Sequence, residues 1–423
     1  MAGLAVALIG SIFARAVFFH TLQDVAPINA GDFLLSYRGG FVRRGLIGEL
    51  LYRLPFLTDL HRVEIAIKSL SLAAYCSAFA MLAAIVQRHT RSAAATLLVM
   101  VQPFLFGFPV LTGQWIREDL MLLVCFYAVL GPLRDSAVMA NVVSILAIVT
   151  HEAYGVVLLP LVVVLRASAD SRERAWASAL LRASARFSPS IAVLLIMVMY
   201  PGNREVASRI AEAWAAKGIA LPPGAAPALF GLAQKNVWRM GFDMTRSNYL
   251  DKPFYFVFWG GAIVSAGLLL SLAAGLVRSR DIAHESSPPY DARVAIEAAA
   301  GVAITLVGFA PLFLMATDFG RWVFLWLAAS AAVVFSPRRL ELLAFIARVL
   351  PGSVTTAIRG ACRQATDRWT ARAPSRAWCV GLLAGSLFCL PLPTYAMEGC
   401  CTWRVVTSFS LAARLLSLAF GLH

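Results

Sequence analysis

Charged side chains are scarce in this sequence: only 14% of its 423 residues are charged, whereas 60% are hydrophobic. An ordinary soluble domain has about 25% charged residues, because its surface faces water. The shortage of charge therefore argues against a water-soluble globular protein. It predicts an all-α, polytopic integral membrane bundle, since helices satisfy their own backbone hydrogen bonds inside a bilayer.

Sequence motifs for several common activities are also missing. The chain has no Walker loop, no dinucleotide-binding fingerprint and no internal repeat, so transport driven by its own ATP hydrolysis is disfavoured. The seven cysteines have no metal-ligand spacing along the chain. We interpret those in apolar segments as core residues; they are Cys76, Cys125, Cys379 and Cys389.

Long apolar segments predict about ten to twelve transmembrane helices in a single domain that covers residues 1–423. The windows are 3–21, 65–87, 93–112, 119–133, 137–150, 153–166, 187–200, 253–277, 294–316, 322–336, 378–396 and 405–421. The windows 137–150 and 153–166 have an alternative interpretation, as one broken pair that meets at His151.

Arginine placement predicts the orientation. The net charge of +14 would suggest nucleic acid in a soluble protein, but these arginines lie between apolar segments and follow the positive-inside rule, so no nucleic-acid partner is expected. The N-terminus and a basic segment, 337–377, are predicted to be cytoplasmic. The opposite, outer face then receives residues 22–64, 112–119, 151–153, 201–252, 317–322 and 397–404.

Two stretches of the outer loop 201–252 have helical amphipathic patterns, at 204–216 and 226–240. In the first, Val206, Ile210 and Trp214 share one face. We expect both stretches to lie on the outer leaflet, either as a lid or as a membrane-associated loop with no part in binding. The basic segment 337–377 is expected to rest against anionic lipid headgroups.

Four charged clusters interrupt the apolar chain, and the predicted topology places all of them on the outer face. The first runs from Asp32 to Glu49 and combines Arg38, Arg43 and Arg44 with several glycines. Arginines beside exposed glycine amides suit a phosphate or pyrophosphate group of a substrate. The alternative is that these arginines bind lipid headgroups.

Asp32 is the candidate catalytic base of this loop. Partial burial and nearby arginines shift the proton affinity of such a carboxylate in opposite directions, as in many catalytic bases. Its alternative role is to cap a helix over 33–37. Glu49 is expected to form a salt bridge with Arg43 or Arg53.

The second cluster, Arg117–Glu118–Asp119, lies in a turn between two apolar segments and is preceded by Trp115. Arg117 and Trp115 are candidate substrate contacts, because a tryptophan ring stacks on sugars. Trp115 also fits an aromatic belt at the membrane interface. The three charged residues are equally consistent with a turn that pairs its own charges.

The third cluster is His151–Glu152, which the hydrophobic windows place at the edge of the membrane. Ionisable groups are costly there and indicate function by default. The pair is a candidate acid/base catalyst or, with an aspartate from another loop, a ligand set for a divalent metal ion. Simple pairing with nearby arginines is the alternative.

The fourth cluster contains Asp318, Arg321 and Trp322 between two long apolar segments. Asp318 is a candidate catalytic acid. Arg321 would stabilise negative charge on a leaving phosphate, and Trp322 would lie at the headgroup level. Alternatively, Asp318 and Arg321 pair with each other in a helical turn.

The arrangement of an outward first loop with an aspartate, further charged outward loops and a hydrophobic body resembles the GT-C-type membrane glycosyltransferases and the related O-antigen polymerases and ligases. The residues that match are Asp32 for the first-loop acid, Arg38, Arg43, Arg44 and Arg321 for lipid-phosphate contacts, and His151 or Glu152 for an added acid or base. The chain departs from that superfamily in lacking a tandem acid pair in the first loop.

The resemblance implies transfer of a sugar, or of a growing glycan, from a polyprenyl-(pyro)phosphate donor at the outer face of the inner membrane. Membrane lipids and the polyprenyl-(pyro)phosphate-linked glycan would be the partners, and a divalent metal ion stays open as a cofactor. Two other functions stay open: a transporter or flippase for a lipid-linked saccharide, and a non-enzymatic membrane assembly subunit.

Overall fold

The computed structural model describes residues 27–90, 93–100, 102, 105–106, 116–171, 175–220, 253–278, 292–315, 319–336 and 338–371. All regular secondary structure in these ranges is helical, which confirms the all-α prediction. The predicted windows 3–21, 378–396 and 405–421 and the amphipathic stretch 226–240 lie outside the described residues.

The helices in the first half of the chain are α1 (Pro27–Leu34), α2 (Gly45–Arg53), α3 (Leu60–Thr90), α4 (Ala93–Met100), α5 (Asp119–Leu130), α6 (Ala137–Thr150) and α7 (Leu159–Asp170). Those that follow are α8 (Trp176–Arg186), α9 (Ser188–Met199), α10 (Arg204–Ala216), α11 (Pro253–Arg278), α12 (Ala292–Met315), α13 (Phe319–Val334), α14 (Arg338–Val349) and α15 (Gly352–Ala371). A 3₁₀ turn, Tyr37–Gly39, precedes α2, and a π-helical turn, Tyr154–Leu158, precedes α7.

Two helices, α3 and α12, are long and apolar enough to cross a membrane. The number rises to four if two bent pairs, α8 with α9 and α13 with α14, each count as one span. Three shorter apolar helices accompany them: α5, α6 and the part of α11 from Gly260 to Gly275. A span requires about 20 residues, which the 12 residues of α5 and the 14 of α6 do not supply.

The centre of the bundle is α13. Its side chains are buried from Arg321 to the helix end at Val334, including the large indole of Trp326. A helix surrounded on all sides is apolar on every face, which explains the continuous hydrophobic pattern of 322–336. Tyr127 of α5 donates a hydrogen bond to the carbonyl oxygen of Ala328 at 3.0 Å and ties these two helices together.

The amphipathic helix predicted at 204–216 is confirmed as α10, but its apolar face does not lie on a lipid leaflet. Ile210 and Trp214 are fully buried within the protein, and the Trp214 indole donates to the carbonyl oxygen of Leu34 at 2.9 Å. A Cβ on Gly39 would lie 2.2 Å from the Val206 carbonyl oxygen. The apolar face of α10 therefore packs against the first loop of the protein. Leu34 of that loop supplies the carbonyl oxygen that accepts from Trp214.

The chain breaks at His151, as one interpretation of the 137–150 and 153–166 windows predicted. Helix α6 ends at Thr150, and His151 has an extended backbone with φ −157° and ψ 121°. The π-helical turn follows and leads into α7. This break turns the side chains of His151 and Glu152 towards the N-terminal ends of α5 and α13.

Candidate functional site

Side chains from all four charged clusters meet in one buried group at the N-terminal ends of α5 and α13. We call this group the ion cluster; its members are Asp32, Arg43, Arg44, Arg117, Glu118, Asp119, His151, Glu152 and Arg321. Residues far apart in the chain thus form one site. Buried charges require partners, and the geometry shows which ones they have.

Arg44 is the link between the first loop and the break at His151. Its Nε and Nη2 atoms donate to the two carboxylate oxygens of Glu152 at 2.8 and 2.7 Å. Its Nη1 atom lies 3.5 Å from Asp32, while Arg43 approaches Glu152 to 3.4 Å. Arg44 also has a positive φ of 62°, a left-handed conformation that costs a side-chain-bearing residue about 1–2 kcal/mol. The bidentate pair with Glu152 offsets that strain.

Arg321 links α13 to α5 and to His151. Its Nε and Nη2 atoms donate to the two carboxylate oxygens of Asp119, the second at 2.8 Å. Its Nη2 atom also lies 2.8 Å from Nε2 of His151. A guanidinium group only donates hydrogen bonds, so Nε2 of His151 must be the acceptor.

His151 is consequently held in its neutral form. The backbone N–H of Ala153 also faces this ring, 3.1 Å from Nδ1, but a neutral imidazole accepts at one nitrogen only. The charge-assisted bond from Arg321 is the stronger, which leaves the proton on Nδ1, 3.6 Å from Glu152. Burial, Arg44 and Arg321 lower the pKa of His151 well below its usual range. At neutral pH the ring therefore accepts from Arg321 and has no extra proton to donate.

Glu118 is a member that the sequence did not single out. It is 2% exposed, and neither carboxyl oxygen has a hydrogen-bond partner among the residues in the structure's described ranges. Burial and the neighbouring Asp32 carboxylate raise the pKa of Glu118 well above its usual range, against the opposing effect of Arg44. The protonated form of this carboxyl group is therefore favoured in the folded protein compared with an exposed glutamate. Its position just before the apolar helix α5 was the available signal.

The raised pKa of Glu118 predicts a specific pH dependence of stability. Between the unfolded and the folded pKa, the folded protein keeps a proton that the unfolded chain has lost, so raising the pH favours unfolding. This contribution is complete below about pH 4.5 and is lost as the pH rises through the folded pKa. Its slope is about 1.4 kcal/mol per pH unit. We expect Glu118→Gln to remove this slope from the free energy of unfolding, measured between pH 5 and 7.

The matched control is Glu205→Gln, since Glu205 is 68% exposed and lies on α10. This variant should keep the wild-type slope. Equal slopes for Glu118→Gln and the wild type would show that Glu118 is already ionised in the folded protein.

Arg38 lies outside the ion cluster. Its Nη2 atom is 3.1 Å from Glu49, and its guanidinium group stacks 4.4 Å above the ring of Tyr52. Glu49 also pairs with Arg53 at 2.7 Å, which confirms one of its two expected partners. The alternative partner, Arg43, lies 3.4 Å from Glu152 instead.

The second and fourth clusters are joined to each other through Asp119 and Arg321. Asp119 forms its hydrogen bonds with Arg321, while Arg117 is buried and adds positive charge near Asp119. Trp322 is buried within the protein, with its ring 6.4 Å from that of His151 and 4.4 Å from the Arg321 guanidinium carbon. Asp318 and Trp115 lie outside the described residues.

The described side chains of the ion cluster are not arranged as a metal centre. Within the described part of the chain, no group of three or more His, Cys, Asp or Glu side chains is arranged to hold a metal ion. Glu152 and Asp119 each face an arginine at hydrogen-bond distance, so the space that a cation would need next to these oxygens is occupied by guanidinium groups.

Comparisons of the chain with protein-family models, with curated proteins and with solved structures found no match. The functional interpretation therefore depends on the geometry of the ion cluster and on the apolar helices that carry it.

Proposed function

We propose that the protein is a bacterial inner-membrane glycosyltransferase or polysaccharide polymerase with a GT-C-like arrangement. It acts at the outer face on polyprenyl-(pyro)phosphate-linked sugars in cell-envelope glycan synthesis. Ten to twelve spans with a cytoplasmic N-terminus complete this proposal. The observation that supports it is the ion cluster: several carboxyl groups and several arginines, buried together at the ends of apolar helices.

Asp32 is the proposed base. Its Oδ1 atom has no hydrogen bond within the described residues, and the 3.5 Å approach of Arg44 is long for one. The carboxylate can therefore accept the proton of an acceptor hydroxyl. As that O–H bond breaks, the oxygen bonds to the anomeric carbon of the donor sugar, and the bond from that carbon to the lipid phosphate breaks. The phosphate leaves with the electron pair.

The arginines are the proposed phosphate contacts. The ion cluster brings four guanidinium groups together, those of Arg43, Arg44, Arg117 and Arg321. Arg43 is 1% exposed and shares Glu152 with Arg44, which gives that carboxylate two cations. Guanidinium groups held in fixed positions in low-dielectric surroundings stabilise negative charge that develops on a leaving phosphate.

The test is complementation of surface-glycan synthesis in a deletion strain. Asp32→Asn keeps the shape of the side chain but removes the base, so we expect no surface glycan at a normal protein level. Arg53→Gln is the matched control, because Arg53 is in the same outward loop, is 68% exposed and lies outside the ion cluster. It should complement fully.

Normal glycan amount and length in Asp32→Asn, Glu118→Gln and Arg321→Lys would overturn the transferase proposal. Lipid-linked single repeat units that accumulate in the deletion strain indicate a polymerase. Intermediates that accumulate on the cytoplasmic leaflet indicate the flippase function instead.

One observation favours a non-enzymatic assembly subunit. The pairs Arg44–Glu152 and Arg321–Asp119 are both bidentate and join separate segments without any substrate. If their role is only to hold the segments together, the exchanged pair Asp119→Arg with Arg321→Asp should restore glycan synthesis that each single change abolishes. A transferase requires the arginine at its original position, so the exchanged pair should stay inactive although it is expressed.

A further inference from the structure

A second polar site lies at the opposite ends of the two helices that carry the ion cluster. Asp119 and Arg321 are at the N-terminal ends of α5 and α13, whereas Leu130 and Phe335, at or just beyond their C-terminal ends, line a cavity of about 570 Å³. The 12 residues of α5 alone span about 18 Å. The cavity is thus separate from the proposed transferase site, and the inference does not rest on it.

Three arginines from three different elements line this cavity. Arg88 is in the last turn of α3, Arg134 follows α5, and Arg338 begins α14. The lining contains one carboxylate, Glu341, so two positive charges are in excess at its walls. A fourth guanidinium group is close, because Arg166 donates to the carbonyl oxygen of Arg134 at 3.1 Å.

These arginines keep donors available for a ligand. Arg88 and Arg338 make no hydrogen bond or ion pair at short range with any residue in the described ranges. Arg134 contacts Asp135 through Nε at 3.2 Å, in a pair that is largely solvent-exposed and therefore weak. Its two terminal nitrogens stay available. Convergent guanidinium groups of this kind match the oxygens of a phosphate group.

Part of this positive charge is balanced within the protein. Asp135 pairs with Arg134 at 3.2 Å, and the C-terminal ends of α3, α5 and α13 close to the cavity are each equivalent to roughly −0.5 charge. What indicates an anion is the convergence of three guanidinium groups with available donors on one cavity.

The volume of the cavity and its apolar lining residues limit the choice of ligand. A volume of about 570 Å³ is within the usual range for small-molecule sites and far exceeds one phosphate group. Ile85, Leu130 and Phe335 give the site an apolar part beside the arginines. We propose that this cavity binds a phosphate-bearing anion, with the guanidinium groups of Arg88, Arg134 and Arg338 on the phosphate. That group comes either from a membrane lipid or from a free phosphate compound.

The test uses the full-length protein in dodecyl maltoside micelles and follows thermal unfolding. One series adds inorganic pyrophosphate. The other adds phosphatidic acid in mixed micelles, with phosphatidylcholine as the uncharged reference lipid. The variants are Arg134→Gln and the triple change Arg88→Gln, Arg134→Gln, Arg338→Gln. The matched control is Arg182→Gln, because Arg182 is an exposed arginine of α8 outside the cavity.

We expect at least one of the two ligands to raise the unfolding temperature of the wild type and of Arg182→Gln equally. The apparent affinity should fall about tenfold or more in the triple variant and by a smaller factor in Arg134→Gln. A response to pyrophosphate identifies a free phosphate compound, and a response to phosphatidic acid alone identifies a lipid headgroup. The proposal is overturned if neither ligand acts, or if Arg134→Gln and the triple variant respond as Arg182→Gln does.

Discussion

Replacing Arg321 by methionine is expected to lower the free energy of unfolding by about 3–5 kcal/mol. Asp119 is 2% exposed and receives two hydrogen bonds from Arg321. Methionine fills similar space but leaves this carboxylate buried without its cation, which is the costly way to break a buried pair. Denaturant-induced unfolding in micelles, followed by tryptophan fluorescence, measures the change.

Two further variants distinguish the effect of the buried, unpaired charge on the free energy of unfolding from non-specific destabilisation. Arg62→Met removes an exposed arginine that pairs with Asp59 at 3.2 Å, and it should cost less than about 1 kcal/mol. Combining Arg321→Met with Asp119→Leu removes both charges and should recover most of the lost stability. If Arg321→Met costs no more than Arg62→Met, the pair with Asp119 does not stabilise the fold.

Gly48→Ala is expected to destabilise the protein by about 3 kcal/mol or more. A Cβ at this position in α2 would lie 1.9 Å from the carbonyl oxygen of Leu35 and 2.6 Å from its carbonyl carbon. The clashing atoms belong to the backbone of Leu35, so no side-chain rotation relieves the clash. The change therefore separates α2 from the segment that carries Asp32, and thermal unfolding should show a lower midpoint.

The matched control is Gly308→Ala, also within a helix, α12. Nothing that the structure describes lies within 4 Å of a Cβ added there. Alanine is the better helix former by about 1 kcal/mol, so this variant should be as stable as the wild type or more stable. A Gly48→Ala variant that behaves in the same way would contradict the close packing of α2 on Leu35.

The long helices were predictable from the sequence, and the short ones were not. The windows 137–150 and 204–216 coincide with α6 and α10, because period and length are local properties. The helices α1 and α2 have eight and nine residues and lie in a stretch interpreted as a loop. Helices this short are marginal alone and form through tertiary packing, which leaves little local signal.

The members of the ion cluster were mostly predictable, but their partners were not. Asp32, Arg44 and His151 stood out because charge is scarce around them. The local sequence suggested short-range pairing, whereas Arg321 bonds with Asp119, 202 positions away. Such pairing depends on how α5 and α13 pack. The raised pKa of Glu118 likewise arises from burial and from charged neighbours that other segments contribute.

The separation between Asp119 and Arg321 also affects the order of events during synthesis. At about 5–20 residues per second, the ribosome needs roughly 10–40 s to add the intervening chain. Throughout that time Asp119 lacks the two hydrogen bonds that Arg321 donates, although Arg117 of the same turn already supplies positive charge near it. The hydrogen bonds between α5 and α13 therefore form only after α13 has been synthesised. Any chain that ends earlier retains an aspartate without its bidentate partner, which distinguishes incomplete molecules from finished ones.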